Sequence, residues 1–323
     1  MQNIIAGRIR VGRLATTGLF LQAAAVAATL LFLARPSCAA TLTVGADQSY
    51  KAPSDAASAA KPGDVIRIAP GTYFDCAVWT ANNISIEGAA QGTIVTDKIC
   101  QGKALFVIHA DNVTVRNITF QRARSNDGNG AGIRAEGNNL TIENSQFINN
   151  QDGILAGDNP QATLIVRNSR FDHNGGCVNA CAHGIYVGHI ALLQIENSRF
   201  FNTLVAHHIK SRAARTVLTG NHIEDGPEGT ASYEVELPNG GSLVMTGNTL
   251  EKGPNNQNHS AAVVIGDEGV TQMTDELVLR NNVFTDDGPP TAFVKNITAT
   301  PAQLVGNIFK GRITPLIGDG TVH

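Results

Sequence analysis

Charged and aromatic side chains are scarce in this chain. Of 323 residues, 16% are Asp, Glu, Lys or Arg and 5% are Phe, Trp or Tyr, with one Trp and three Met. So few charges exclude a coiled coil or a helical bundle, which need Ala/Glu/Lys/Leu-rich periodic stretches. With 24 bases against 27 acids, nothing is basic enough for a nucleic-acid binder. Disorder is excluded from the other side, by 42% hydrophobic residues and a formal net charge of −3. Few aromatics also means few platforms on which sugars could stack. No stretch beyond residue 40 shows a helical period. What is abundant instead is Gly, with 33 copies, and Asn, Thr, Ile and Val.

The N-terminus reads as an address. Arg8, Arg10 and Arg13 precede a nearly uninterrupted apolar run from Leu14 to Leu33, and Ser37-Cys38-Ala39-Ala40 supplies small residues for cleavage. Residues 1–40 are therefore expected to be a signal peptide, an uncleaved anchor being the competing reading. There is no twin-arginine pair, and Arg35-Pro36-Ser37 does not suit lipid attachment at Cys38. Four arginines and no acid lie in residues 1–40, so 20 bases face 27 acids in the remainder, a net charge of −7. The mature protein is expected to be periplasmic or secreted, monomeric, and free of stable membrane insertion. Its four cysteines, Cys76, Cys100, Cys177 and Cys181, are an even set in an exported chain, which favours disulfides. A metal site joining Cys177 and Cys181 to His173 and His183 is the weaker alternative.

The length allows two domains, but a repeat argues for one. Segments 114–120, 141–147, 165–171, 194–200 and 278–284 share an x-apolar-x-Asn-x-x-Phe form, and weaker copies end at Ile223, Leu250 and Phe309. The closing apolar positions run 120, 147, 171, 200, 223, 250, 284 and 309, a mean spacing of 27 residues. Each unit holds a second short alternating run, such as Gly184-Ile185-Tyr186-Val187 or His208-Ile209-Lys210-Ser211. Alternation means strands with one face inward. Two or three strands per unit, with Asn and Gly turns between them, make one coil of a solenoid. The recurrent Asn is expected at a corner, where it tolerates a left-handed backbone and its amide can bond along the stack.

This pattern resembles the right-handed parallel β-helix of the pectate-lyase-like superfamily, an all-β, single-stranded solenoid, here of about ten rungs over residues 41–323. The opening Pro62-Gly63-Asp64-Val65-Ile66-Arg67-Ile68 and Pro70-Gly71-Thr72-Tyr73 look like a first rung. The resemblance puts Cys76 and Cys100 on neighbouring coils, where they could bridge. It also implies closing rungs and a cap beyond residue 285, since a bare terminal rung is an exposed strand edge. It does not by itself give a function, because such folds host many chemistries.

Candidate functional residues come from aligning the second strand of successive rungs on Ile133, Ile154, Ile185, Ile209, Val235, Val264 and Val294, taken as inward. Residues one before, one after and three after are then expected to face solvent. Rungs stack about 4.8 Å apart, which brings Tyr186, His208, Lys210, Arg212, Glu234 and Glu236 onto one face above a floor of glycines. Six of nine histidines lie between 173 and 222. A solvated face of paired charges is the plain alternative, but such a mixture is the texture of an active site.

β-Elimination from a uronate polymer needs a group to neutralise the carboxylate, a base for the C5 proton and an acid for the leaving oxygen. Arg212 can bind a carboxylate bidentately. Lys210, its pKa lowered by Arg212, or His208 could be the base, and Tyr186 the acid. Arg134, His183, His189, Glu234 and Glu236 are candidate substrate contacts. Ile209-Lys210-Ser211 resembles the lysine-serine strand motif of the β-helix lyases that include chondroitinase B and alginate lyases, and the resemblance makes Lys210 the base. It also implies a calcium site just ahead of the lysine and an arginine about a rung later. Val205 and Ala206 stand at the first place, and no Arg occurs between Arg215 and Arg280. No metal ligand or cofactor is therefore assigned, calcium being the one the resemblance would admit. The expected activity is elimination from, or C5 epimerisation of, an acidic polysaccharide. The alternatives are a non-catalytic polysaccharide-binding or structural solenoid and a glycoside hydrolase. The hydrolase would use Glu234 and Glu236, two residues apart on one strand and about 6.6–7 Å from each other. Flanking cations would keep both ionised, which counts against it.

Overall fold

A computed structural model describes residues 39–90 and 92–323. The expected signal peptide therefore lies almost wholly outside the described residues. The remainder is a right-handed parallel β-helix. Three long parallel sheets, of twelve, ten and ten strands, pair each strand with its counterpart one coil away, and Gly176–Cys177 and Cys181–Ala182 form a small antiparallel pair beside them. The closing apolar positions fall in one unbroken register, from Phe120 through Phe147, Phe171, Phe200, Ile223, Leu250 and Phe284 to Phe309.

The core is a column of such ladders. Phe120, Phe147, Phe171 and Phe200 stack face to face, with successive centroids 5.2, 4.7 and 4.5 Å apart. At the corner before this ladder, Asn117, Asn144, Asn168, Asn197 and Asn281 all adopt left-handed φ values between 49° and 59°. Asn tolerates this conformation better than other non-glycine residues, and Gly220 and Gly247 take the same corner at φ 64° and 63°. The inter-coil bonding belongs to the next residue. Ser145, Ser169 and Ser198 accept backbone N–H groups from the neighbouring coil in the lower part. Asn221, Asn248 and Asn282 accept equivalent N–H groups and donate to main-chain carbonyls in the upper part.

Cys76 is bonded to Cys100 and Cys177 to Cys181. The first bridge joins adjacent coils, and closing its 24-residue separation contributes about 3.5 kcal/mol on chain-entropy grounds.

Two expectations need correction. A helix, Pro53–Ala59, packs against the first coil with Pro53, Ala56 and Ala57 buried. At seven residues it spans too few turns to show a period. The tail is not capped by a covering element among the described residues. Strands continue as Ile308–Lys310, Ile313–Ile317 and Gly320–Val322, and Ile308, Ile317 and Val322 stay about half exposed.

Candidate active site

The ten-stranded sheet running from Ala77–Trp79 to Ile313–Ile317, called the middle sheet below, carries the candidate residues on strands Ile185–Val187, His207–Ser211, Tyr233–Leu237 and Ala261–Ile265. Inward Ile185, Ile209 and Val235 are in register, but the next partner of Val235 is Val263. The expected Val264 is off by one, because Ala261 through Ile265 are all apolar and alternation there is unreadable. The outward column one residue later is Tyr186, Lys210, Glu236 and Val264.

The column one residue before does not face solvent. The ladder pairs His207 with Tyr233 and Ile209 with Val235 and skips the position between them. At this bend two consecutive side chains enter the lumen. His208 and Glu234 are each 0% exposed. His208 Nε2 donates to Asp225 Oδ1 at 3.1 Å, and its Nδ1 lies 2.8 Å from the Thr203 hydroxyl. Glu234 meets buried Lys252 at 3.3 Å, and burial drives its carboxyl well above the usual range despite that cation. His208 therefore has no access to a substrate. Glu234 and Glu236 point to opposite sides of the wall, which removes the two-carboxylate hydrolase geometry. For Glu234, burial outweighs the neighbouring cation, the reverse of the expectation that flanking cations govern it.

What the bend hides on one side it reveals on the other. Residues two before the inward aliphatic reach the outer wall: His183, His207 and Tyr233, with rings 5.0 and 5.2 Å apart in succession. The His207 N–H donates to His183 Nδ1 at 3.3 Å, and the Tyr233 N–H to His207 Nδ1 at 3.2 Å. A neutral imidazole so engaged carries its proton on Nε2. In His207 that nitrogen lies 3.1 Å from Glu236 Oε2. Burial, then the charges of His207, Lys210 and Arg212, hold the His183 pKa well below its ordinary value, so its ring is neutral. Below it, buried Asp152 accepts the His183 N–H at 2.7 Å, and burial pushes its carboxyl up to about 8.

Lys210 lies 2.7 Å from Glu236 Oε2 and 2.6 Å from Glu268 Oε1. Arg212 donates through Nε to the Tyr186 hydroxyl at 3.0 Å, through Nη1 to Asn239 Oδ1, and through Nη2 to Glu268 Oε2 at 2.5 Å. Burial by itself would lower the Lys210 pKa, but Glu236 and then Glu268 outweigh it and the net shift is upward. The expectation of a lowered Lys210 pKa is thereby reversed, because two carboxylates stand closer to the ammonium than its cationic neighbour does. The group open to solvent is a cleft of about 450 Å³ lined by His183, Tyr186, His207, Lys210, Arg212, Glu236 and Glu268 among others.

Of the expected contacts, His183 and Glu236 line this cleft. Arg134 lies two ladder positions below Tyr186, across Leu155, and pairs with Glu136 at 3.4 Å. His189 is engaged by Asp158 at 3.0 Å outside the cleft. Sequence reasoning missed Glu268, Asn239, Tyr233 and the role of His207. The first two sit in turns off the ladder, where no periodicity applies. The other two fell in a column that strict alternation assigned to the interior. Among the described residues no group of acidic, His and Cys side chains is arranged to hold a metal ion.

Comparison with known proteins agrees on the fold. The family described as "Right handed beta helix region" matches residues 71–181. No curated protein is matched by sequence. Among solved structures, the chain is similar to an alginate lyase from Paenibacillus sp. str. FPU-7 at 16% identity and TM-score 0.55, over 85% of this chain and 99% of that one. It is similar to the pectin methylesterase from Aspergillus niger at 14% identity and TM-score 0.50, over 88% and 92%. It is also similar to the pectate lyase Pel9A at 15% identity and TM-score 0.51, over 88% and 78%. At these identities the likeness is one of architecture. The class is thus a right-handed parallel β-helix protein with a histidine-lined cleft of paired charges on its middle sheet.

Proposed function

We propose that this is an exported protein, residues 1–40 being its signal peptide, that acts on a uronate-containing polysaccharide by β-elimination or C5 epimerisation. The observation that carries the reading is the convergence of Lys210 and Arg212 on one carboxylate-sized position, with the Tyr186 hydroxyl held by Arg212. In this reading the two cations neutralise the C6 carboxylate of a uronate and stabilise the enolate that forms when C5 loses its proton. Lys210 keeps its proton, so it is an electrostatic partner and not the base. Neither His183 nor His207 has a free lone pair in its neutral form, since each Nδ1 takes a backbone N–H. The remaining proton-transfer group is Tyr186. Its oxygen faces the Arg212 Nε–H, and once its own proton has passed to solvent it takes the C5 proton. In elimination the C4–O4 bond then breaks, its electron pair leaves with O4, the C4–C5 double bond forms, and O4 is protonated by Tyr186, which returns to its starting form. In epimerisation C5 is reprotonated on the opposite face by solvent, and the proton on Tyr186 passes to solvent in turn. The names of two neighbours, an alginate lyase and a pectate lyase, agree with this class of substrate.

The test incubates the protein with a panel of uronic-acid polymers. Ultraviolet absorbance reports the unsaturated product, and deuterium uptake at C5 from heavy water reports epimerisation. Activity should fall at least about 100-fold in both Lys210→Ala and Tyr186→Phe, as for loss of a charge-stabilising or proton-transfer group. Polymer binding with neither signal would leave the non-catalytic reading. Turnover that survives Tyr186→Phe would overturn the assigned proton route.

A further inference from the structure

The position between Lys210 and Arg212 is not vacant: the chain's own Glu268 fills it. Each oxygen of its carboxylate takes one cation, Oε1 at 2.6 Å from Lys210 and Oε2 at 2.5 Å from Arg212. The three side chains differ in how they are held. Lys210 is 10% exposed and rests on Glu236, and Arg212 is 17% exposed and fixed by Tyr186 and Asn239. Glu268 is 43% exposed and reaches in from solvent. It belongs to an excursion between strands Ala261–Ile265 and Leu277–Arg280. The Glu268 N–H donates to Pro238 O at 3.0 Å, and Asn239 O receives the N–H groups of Thr271 and Gln272 at 3.0 and 2.9 Å. The main chain is thus fastened while the side chain is the outer, solvent-facing partner.

The charge count points the same way. Lys210 and Arg212 face Glu236 and Glu268, two charges against two. With Glu268 turned out to solvent, one positive charge is left over, which one uronate monoanion matches. A methyl-esterified uronate or a neutral sugar brings no charge to replace that of Glu268.

Resting on the reading above, we infer that Glu268 is a built-in competitor for the substrate carboxylate. It occupies the seat until a free uronate displaces it, and it thereby weakens binding of the free acid and narrows the margin by which acid is preferred over ester. The tethered carboxylate acts at a high effective concentration, so it lowers the apparent affinity for any external carboxylate. Removing it should tighten that affinity.

Sodium glucuronate and its methyl ester are titrated by calorimetry and ligand-detected NMR into the full mature protein and into Glu268→Gln and Glu268→Ala. Both variants should bind the free acid at least about 10-fold more tightly than the wild type, with the ester unchanged. Thermal melts show whether each variant is folded, and having two variants guards against an amide that still bonds to Lys210. Equal or weaker acid binding in both folded variants, or no acid binding by any of the three proteins, overturns the inference. Polymer turnover is a separate readout. Tighter glucuronate binding without turnover keeps the seat and rejects the catalytic reading, and turnover with unchanged binding does the reverse.

Discussion

The same ladder position, one residue before the inward aliphatic of the middle sheet, is filled in opposite ways in the two halves of the coil. In the lower half it is Gly132, Gly153 and Gly184. A Cβ on Gly132 would come within 2.7 Å of Phe147, and one on Gly153 within 2.3 Å of the Gly184 carbonyl and 2.8 Å of Phe171. There the lumen is taken by the phenylalanine stack, and only a residue without a side chain fits. In the upper half the stack ends, Phe200 being followed in register by Ile223 and Leu250. The freed volume holds His208 and Glu234 with Asp225 and Lys252. The glycines expected to floor an outer cleft are thus an inner packing device, and the polar residues expected on the outer face are their counterparts inside. The cleft lies directly outside this polar interior, on the same two strands, so Lys210 and Glu236 alternate with side chains bonded into the lumen.

The comparison can be broken most severely from the polar side. Asp225 takes His208, the Gly253 N–H and the Asn256 side chain. Asp225→Ala leaves these buried donors without a partner and should cost about 4 kcal/mol in chemical denaturation, at 1–3 kcal/mol for each unmet group. A cost under about 1 kcal/mol would mean that water replaces the network.

On the apolar side, Gly153→Ala forces a methyl group against backbone and Phe171. It should cost about 3 kcal/mol, whereas Ala in place of His208 introduces no such clash. A neutral Gly153→Ala would show that the lower lumen has slack.

The smallest effect sharpens the boundary between the halves, where Asp152 sits just below the His183–His207 pair. Its carboxyl is pushed up to about 8 by burial, from an ordinary value of 3.8. Between those values the folded state holds a proton that the unfolded chain has released. Its contribution to stability is therefore full below about pH 4 and is lost as pH rises through 8. Asp152→Asn removes that dependence. It should match the wild type at pH 4 and exceed it by on the order of 2 kcal/mol at pH 8, less than the full linkage value since water can relax around the charge. Parallel stability-against-pH curves for the two proteins would refute the assignment.

How much of this was legible beforehand follows from where each residue sits. Tyr186, Lys210 and Glu236 were placed correctly because they lie inside ladders, where period two holds and register is set by the closing apolar positions. Arg212 was found because it follows the same strand. His208 and Glu234 were misplaced by one bend of the backbone, which leaves no mark on a pattern of alternating letters. His207 was counted among the histidines but given no side, since strict alternation two residues before the inward aliphatic implies the interior. Glu268 lies 58 residues after Lys210 in sequence, in a turn that carries no repeat.

The sequence by itself determined the coil. Ile, Val and Phe at 27-residue spacing can be buried together only by stacking, and Asn and Gly at the corners supply the left-handed turns that stacking requires. Tertiary structure alone decided which side of the wall each polar residue took and which charges met across rungs. Those outcomes depend on the room left by neighbouring side chains, as where the phenylalanine stack stops, and on a single loop returning over two coils. Both are properties of three-dimensional packing, and neither is encoded in the period of the chain.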